Sequence, residues 1–257
     1  MTQAERRIYL IKYLLNERAV YSPIAVPTDS NEQKSLLRGL MNVRQPMRAS
    51  DDFIAVQNEY LKEETRRKGV TDYTALSPVC DGIYLWQGDI TTLKCDAIVN
   101  AANSKLLGCF CPNHKCIDNA IHTFSGVQLR LACDEIMKKQ GHDEETGKSK
   151  ITPAFNLSCE NVIHTVGPIV IGSPTERDRR LLRSCYLSCL ETAVQSGLKS
   201  IAFCCISTGE FHFPNRAAAE IAVDTVKGFR HGNKIEVIFN VFKDEDYEIY
   251  RELLGKN

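Results

Sequence analysis

A chain of 257 residues fits one large domain, or one domain with an appendage, and its 43% apolar content can fill a sizeable core. Its 32 basic and 32 acidic residues cancel, which argues against a nucleic-acid footprint or a polyanionic tail. Its 11 cysteines follow no secretory signal and no apolar run of membrane-spanning length, so a cytoplasmic protein with reduced thiols is expected.

Residues 1–75 differ from the rest. Ile8, Leu10, Ile11, Leu14 and Leu15 recur at helical spacing among Arg and Lys. Pro23 and Pro27 interrupt. Asp29 or Ser30 can cap a second helix carrying Leu36, Leu37 and Leu40. Asp51 or Asp52 can cap a third, with Phe53, Val56, Tyr60 and Leu61 as its stripe, stopping near Gly69. No repeat, low-complexity run or catalytic cluster lies here. The segment reads as a helical extension packed on a main domain of residues 76–257.

From Cys80 onward strands alternate with helices. Gly82 to Gln87 and Ala97 to Asn100 read as strands, and a long helical stretch covers Asp118 to Gln140. Gly141 to Lys150 is polar and reads as an exposed loop. Ile151 to Phe155 and Val162 to Val166 are short strands, Thr175 to Ser196 a helix, and Ser200 to Ile206 a fully apolar strand. Pro214 to Arg230 is a helix with proline at its first turn, where the missing N–H costs little. Ile235 to Phe242 is the last strand and Asp244 to Leu254 the last helix. Such alternation implies a largely parallel sheet covered on both faces.

The loop that follows Ala97 to Asn100 carries the chemistry. Cys109, His114 and Cys116 place two thiolates and an imidazole within eight residues. One ion can take all three, and this donor set favours zinc over magnesium or calcium. Three protein ligands leave a position for water or substrate. Cys111 could close the site as a fourth ligand; a run of small buried thiols beside a surface histidine is the plain alternative. Asp118 follows at once, at a helix start that favours negative charge. A second anion cradle is Ser207-Thr208-Gly209-Glu210-Phe211, after the apolar strand. Each is ordinary turn chemistry taken alone, but two at one sheet edge suit a diphosphate. Cys133, Cys185, Cys189, Cys204 and Cys205 read as small core residues, and Trp86, His122 and His164 as core or supporting side chains.

Five motifs then appear in the order expected of a macrodomain: GDIT (Gly88 to Thr91), DAIVNAAN (Asp96 to Asn103), CIDNAIH (Cys116 to His122), VIHTVGP (Val162 to Pro168) and IAFCCISTGEFHFP (Ile201 to Pro214). The chain resembles that family from roughly Cys80 to Leu254. The Cys-x4-His-x-Cys insertion and the N-terminal helices resemble its zinc-dependent microbial protein-ADP-ribose hydrolase branch. The resemblance implies a three-layer α/β/α fold on a mixed, largely parallel sheet of about six strands, plus the helical extension. It implies binding of ADP-ribose and its removal from mono-ADP-ribosylated protein, at Asp or Glu esters, with one zinc per chain. The non-catalytic alternative is an ADP-ribose-binding module.

Residue by residue, the resemblance places Asp89 and Ile90 at the adenine and Asn103 and Asp118 at the distal ribose, with Asn119 among the ADP-ribose-binding residues. Asn103 and Asp118 would be catalytic, orienting ribose and water beside the zinc. Ser207, Thr208, Gly209, Glu210 and Phe211 would form the phosphate loop, and Phe242 would line the adenosine pocket. Cys109, His114 and Cys116 would hold the metal. The chain would act as a monomer, without nucleic acid or membrane. It departs from the family where Cys109 to Ile117 replaces a glycine run, and where Glu210 and His212 replace apolar and glycine residues. A carboxylate beside a diphosphate is unfavourable unless it points away.

Overall fold

The computed structural model describes residues 1–21 and 23–255. Three helices come first. α1 (Gln3–Asn16) opens on a capping box, in which Thr2 and Glu5 satisfy each other's backbone N–H groups. α2 (Ser30–Val43) is capped by Asp29, one of the two residues its spacing suggests. α3 (Asp51–Lys68) is capped one residue earlier than expected. Ser50 Oγ accepts the Phe53 N–H, and Asp51 and Asp52 occupy the first turn, where the helix dipole favours them. Leu10, Leu14, Leu37, Leu40, Phe53 and Leu61 form a core of their own between these helices.

The rest of the chain runs β1 (Thr71–Asp72), β2 (Ile83–Gln87), a 3-10 turn (Ile90–Thr92), β3 (Leu93–Lys94), β4 (Ala97–Ala102), α4 (Ile117–Ser125) and α5 (Val127–Gln140). It continues with β5 (Ser149–Pro153), β6 (Asn161–Val166), α6 (Glu176–Gln195), β7 (Ser200–Phe203), α7 (Asn215–Arg230), β8 (Glu236–Val241) and α8 (Asp244–Gly255). Six strands form one sheet in the order β2-β8-β7-β4-β6-β5, parallel except for β5. This is the mixed, largely parallel sheet that the alternation implies, with the N-terminal helices outside it.

The sheet explains where a ligand can sit. β4 and β7 share two paired positions, Ala97 with Ile201 and Ile98 with Ala202, and then part. Strands are added on one side of that seam as β6 and β5, and on the other as β8 and β2. Open sheets of this kind receive ligands outside the carboxyl ends of the strands at such a switch point. The loops after β4 and β7 both begin there.

Several elements differ from the sequence reading. Ala101 and Ala102 extend β4 beyond its expected end at Asn100. The stretch from Asp118 to Gln140 is two helices, broken at Gly126, whose φ of +98° is closed to other residues. Gln57 of α3 reaches this break and accepts the Val127 N–H at 2.9 Å, so the extension caps α5. β7 ends at Phe203, because the chain leaves β4 after Ala202. Pro214 stands at the cap position of α7, outside its first turn. The polar stretch after Gly141 is pinned rather than free: Glu144 is buried and its N–H donates to the Ser104 carbonyl at 2.8 Å. All 11 cysteines are free thiols. Among the described residues no helix is long and apolar enough to cross a membrane.

One buried side chain joins the extension to the loop after β4. Arg130, on α5, donates from Nε to the Leu107 carbonyl at 2.7 Å and from Nη1 to the Met41 carbonyl at 3.1 Å and to the Arg44 carbonyl. Its guanidinium also lies 4.3 Å from the centre of the Phe110 ring. Arg130→Met keeps the volume but strips three carbonyls of their donor. The expected loss is about 3 kcal/mol of unfolding free energy. A urea midpoint equal to that of the native sequence would contradict this account.

Candidate active site

The metal loop converges as its spacing suggests. The Sγ atoms of Cys109 and Cys116 and a ring nitrogen of His114 lie within 4.8 Å of one another. His114 Nδ1 is buried and has no hydrogen-bond partner. Burial pushes the Cys116 thiol up to about 12, with the Cys109 sulfur beside it adding to the rise. Two crowded thiols and an unsatisfied imidazole nitrogen are a donor set that a thiophilic dication would satisfy. The residues therefore fit zinc. Cys111 is exposed, and its thiol is not among the three converging donors. That leaves three candidate protein ligands from this loop.

The loop is held from α2. Arg38 donates to the His114 carbonyl at 3.0 Å and to Asn119 Oδ1 at 2.8 Å. Asn42 accepts the Asn113 N–H at 2.9 Å and donates to Thr123 at 2.9 Å. Asn119 donates in turn to the Cys111 carbonyl at 3.1 Å. Asn119 is fully buried, and its side-chain amide bonds to Arg38 and to the Cys111 carbonyl, so it braces the loop.

Asp118 sits in the first turn of α4 and is 5% exposed. Asn100 donates to its Oδ1 at 2.8 Å, and Asn103 approaches Oδ2 at 3.4 Å. Burial pushes the carboxyl up to about 6, against the Asn100 hydrogen bond and the Arg130 charge, which lower it. His122 Nε2 lies 3.5 Å away. That approach is not an ion pair, because burial drives His122 well below its ordinary value and leaves it neutral. Asn103 also donates to the Gly108 carbonyl at 3.1 Å and accepts the Lys105 N–H at 3.0 Å, which fixes its position at the loop mouth.

Behind Asp118 lies a network that the sequence reading did not identify. Asn100 Nδ2 also donates to His164 Nδ1 at 3.1 Å. With the amide in this orientation His164 carries its proton on Nε2, which meets Thr152 Oγ1 at 3.0 Å. His122, Cys133 and His164 converge within 4.8 Å as a second buried trio. Both His164 nitrogens are already engaged, so this trio reads as packing behind Asp118. The one available signal was Asn100 itself, a polar residue in an otherwise apolar strand.

The loop after β7 curls into a cradle. Ser207 and His212 have positive φ, the Phe213 N–H returns to the Ser207 carbonyl at 2.9 Å, and the His212 N–H to Gly209 at 3.0 Å. Ser207 Oγ is buried and unpartnered. The loop is pressed against the end of β6, where a Cβ on Gly167 would collide with Ser207 Oγ. Thr208 is tied back by its hydroxyl to the Cys205 carbonyl at 3.0 Å. The Gly209, Glu210 and Phe211 N–H groups donate to no protein acceptor among the described residues, which leaves them for an anion. Glu210 points away from this cradle: its side chain is 70% exposed, and Oε1 lies 3.6 Å from His114 Nε2.

At the other end of the sheet edge, Asp89 caps the 3-10 turn after β2. Its Oδ1 accepts the Thr91 N–H at 3.0 Å and the Thr91 hydroxyl at 2.6 Å. Lys68 of α3 donates to Oδ2 at 2.8 Å. Ile90 is buried under the turn, so it can offer a ligand only its backbone. Phe242, just past β8, is 77% exposed. Asp89, Phe242, the cradle and Asp118 thus follow the carboxyl edge of the sheet along β2, β8, β7 and β4. Sequence reasoning missed Lys68, Arg38, Asn42 and Arg130. They act across long chain separations, and no local motif marks them.

Comparison with known proteins places this geometry. The family model described as Macro domain matches residues 99–222. A "Protein-ADP-ribose hydrolase" of Treponema medium is 55% identical over 261 residues, covering 99% of this chain and 100% of its own. One of the same description from Staphylococcus aureus (strain COL) is 48% identical, covering 97% of this chain and 95% of its own. A mutant Oceanobacillus iheyensis macrodomain with ADPR superposes at a TM-score of 0.61 and 39% identity, over 66% of this chain and 90% of its own. A Trypanosoma brucei macrodomain in complex with ADP-ribose gives 0.66 at 28% identity, over 84% and 95%. With its sheet, its two loops at the parting of β4 and β7, and relatives matched end to end, the chain belongs to the macrodomain family.

Proposed function

We propose that this protein is a zinc-dependent hydrolase that removes ADP-ribose from mono-ADP-ribosylated protein, at Asp or Glu esters. The convergence of Cys109, His114 and Cys116 two residues ahead of Asp118 carries the reading. The full-length likeness to proteins described as protein-ADP-ribose hydrolases supports it. Asp89 and the Ile90 backbone bind the adenine, Phe242 covers the adenosine, and the N–H groups of Gly209, Glu210 and Phe211 take the diphosphate, beside Ser207 and Thr208. Asn103 and Asp118 receive the distal ribose.

Zinc, when bound, supplies Lewis-acid polarisation at the sugar end of the ligand. Asn103 orients a ribose hydroxyl. Asp118 accepts a hydrogen bond from the ribose or from the attacking water, and Asn100 fixes the carboxylate that does so. Burial keeps His122 neutral, so it offers no strong acid to a leaving group. A carboxylate leaves without one, which is why Asp or Glu esters suit the site.

The deciding experiment offers purified protein mono-ADP-ribosylated acceptors of different linkage, before and after a strong chelator. Release from carboxylate-linked acceptors, lost on chelation and restored by zinc but not magnesium, is expected. Unchanged release without metal removes zinc from the mechanism, and ADP-ribose binding without any release favours the reader.

Glu210 has its own test. Were zinc held by His114 Nδ1, the nitrogen without a hydrogen-bond partner, Nε2 would carry the ring proton toward Glu210, whose carboxylate would orient the imidazole. Glu210→Gln should weaken zinc roughly tenfold in competition with a chromophoric chelator. Equal affinity would detach the cradle from the metal.

The network behind Asp118 predicts a pH effect. Burial pushes His164 down to about 4. The unfolded chain takes that proton near pH 6.5, the folded one about 2.5 units lower, so the unfolded state binds more protons between them. His164 therefore contributes stability at neutral pH that is lost as pH falls from about 6.5 toward 4. Its ring resonances should show no titration above about pH 5. A midpoint at the ordinary histidine value would mean that the ring is not sealed in the core.

A further inference from the structure

We propose that Lys68, the last residue of α3, is a positioning residue of the nucleotide site: it aims the Asp89 carboxylate at the base and so sets preference for an amino-bearing purine. This rests on the ADP-ribose reading above and deepens it by giving the extension a share in ligand selection.

The geometry divides the work of the two carboxylate oxygens. Oδ1 of Asp89 is spent on the Thr91 N–H and hydroxyl, at 3.0 and 2.6 Å. Only Oδ2 has capacity left for a ligand, and Lys68 Nζ meets it at 2.8 Å. An ionised carboxylate oxygen accepts two donors, so Lys68 and an exocyclic amine can share Oδ2. Burial works against ionisation of Asp89, but Lys68 and Thr91 outweigh it and hold the carboxyl below its ordinary range. A base with a carbonyl in place of the amine would face the lone pairs of a fixed anion.

Lys68 is itself held in place. Its ammonium lies 3.2 Å from the centre of the Phe124 ring, on α4. Directly after α3, β1 pairs with β3 through Thr71 with Leu93 and Asp72 with Lys94. Lys94 Nζ meets Asp72 at 2.8 Å. β3 follows immediately on the turn that Asp89 caps. The end of α3 is thus laced to the strand that follows that turn, which keeps the Lys68 backbone within reach of Asp89.

The test uses the full chain and calorimetry with ADP-ribose and its hypoxanthine counterpart, inosine diphosphate ribose. Lys68→Met should weaken ADP-ribose roughly fivefold, the upper range for a partly exposed ion pair, and narrow the preference for adenine. Lys68→Arg should recover most of both. In an Asp89→Asn background, Lys68→Met should cost little more, because the two act as one unit. Should Lys68→Met lower the melting temperature yet leave both affinities in their native ratio, or should the two losses add, the proposal is overturned. Should the native chain fail to bind ADP-ribose at all, the functional reading falls first and this proposal with it.

Discussion

The Arg130 guanidinium sits where the carboxyl end of α2, the loop after β4 and α5 meet, and the shape of the site depends on it. A helix leaves its last carbonyls without intrahelical partners. Arg130 serves two such carbonyls, those of Met41 and Arg44, and a third in the loop, that of Leu107. A buried cation costs several kcal/mol unless its donors are used. Here Nε and Nη1 are used, on neutral carbonyls from two separate parts of the chain. Lysine would carry the charge without the fork that reaches all three. The extension and the metal loop are consequently one mechanical unit.

That unit makes sense of the bulky loop. A glycine run can lie close against a diphosphate without support. The segment from Cys109 to Ile117 is longer and bulkier than such a run. It leans outward on α2 instead, through Arg38 and Asn42, and on α5 through the stacking of Phe110 over Arg130. Three soft donors need fixed backbone if they are to meet at one point. The helices supply that rigidity from outside the sheet, and the insertion and the extension are thereby coupled. Lys68 extends the same dependence to the opposite end of the site.

Much of this was legible in the sequence, for local reasons. Periodicity located α1, α2, α3, α6, α7 and α8 and the central strands, and the cap at Asp29 follows from short-range hydrogen bonds. The Cys-x4-His-x-Cys spacing foretold a convergence that the fold does produce. What local spacing does not decide is equally physical. The stretch from Asp118 to Gln140 breaks at Gly126, where Gln57 of α3 accepts the Val127 N–H from far along the chain. Asn119 sits beside Asp118 in sequence, but successive helical residues point in different directions, so one side chain meets Asn100 and the other meets Arg38. Arg38, Arg130 and Lys68 were illegible because a basic residue at a helix surface looks the same whether it meets water or a carbonyl far along the chain.

The neutral charge of the chain bears on how an anion is held. A diphosphate can be met with lysine and arginine, or with N–H groups already aimed. The cradle after β7 belongs to the second kind. Its positive φ values at Ser207 and His212 turn successive amides inward, and its nearest carboxylate, on Glu210, faces His114 instead. Fixed dipoles gain their strength from not reorganising, and this loop is fixed by Phe213, Thr208 and the end of β6. The basic residues near the site, Lys68, Arg38 and Arg130, are then free for a different task. Each spends its charge on protein oxygens, one carboxylate and several carbonyls and amides, and so sets the geometry of the groups that face the ligand. On the proposed reading, selectivity arises from the placement of neutral and acidic acceptors, and the cations act one step behind them.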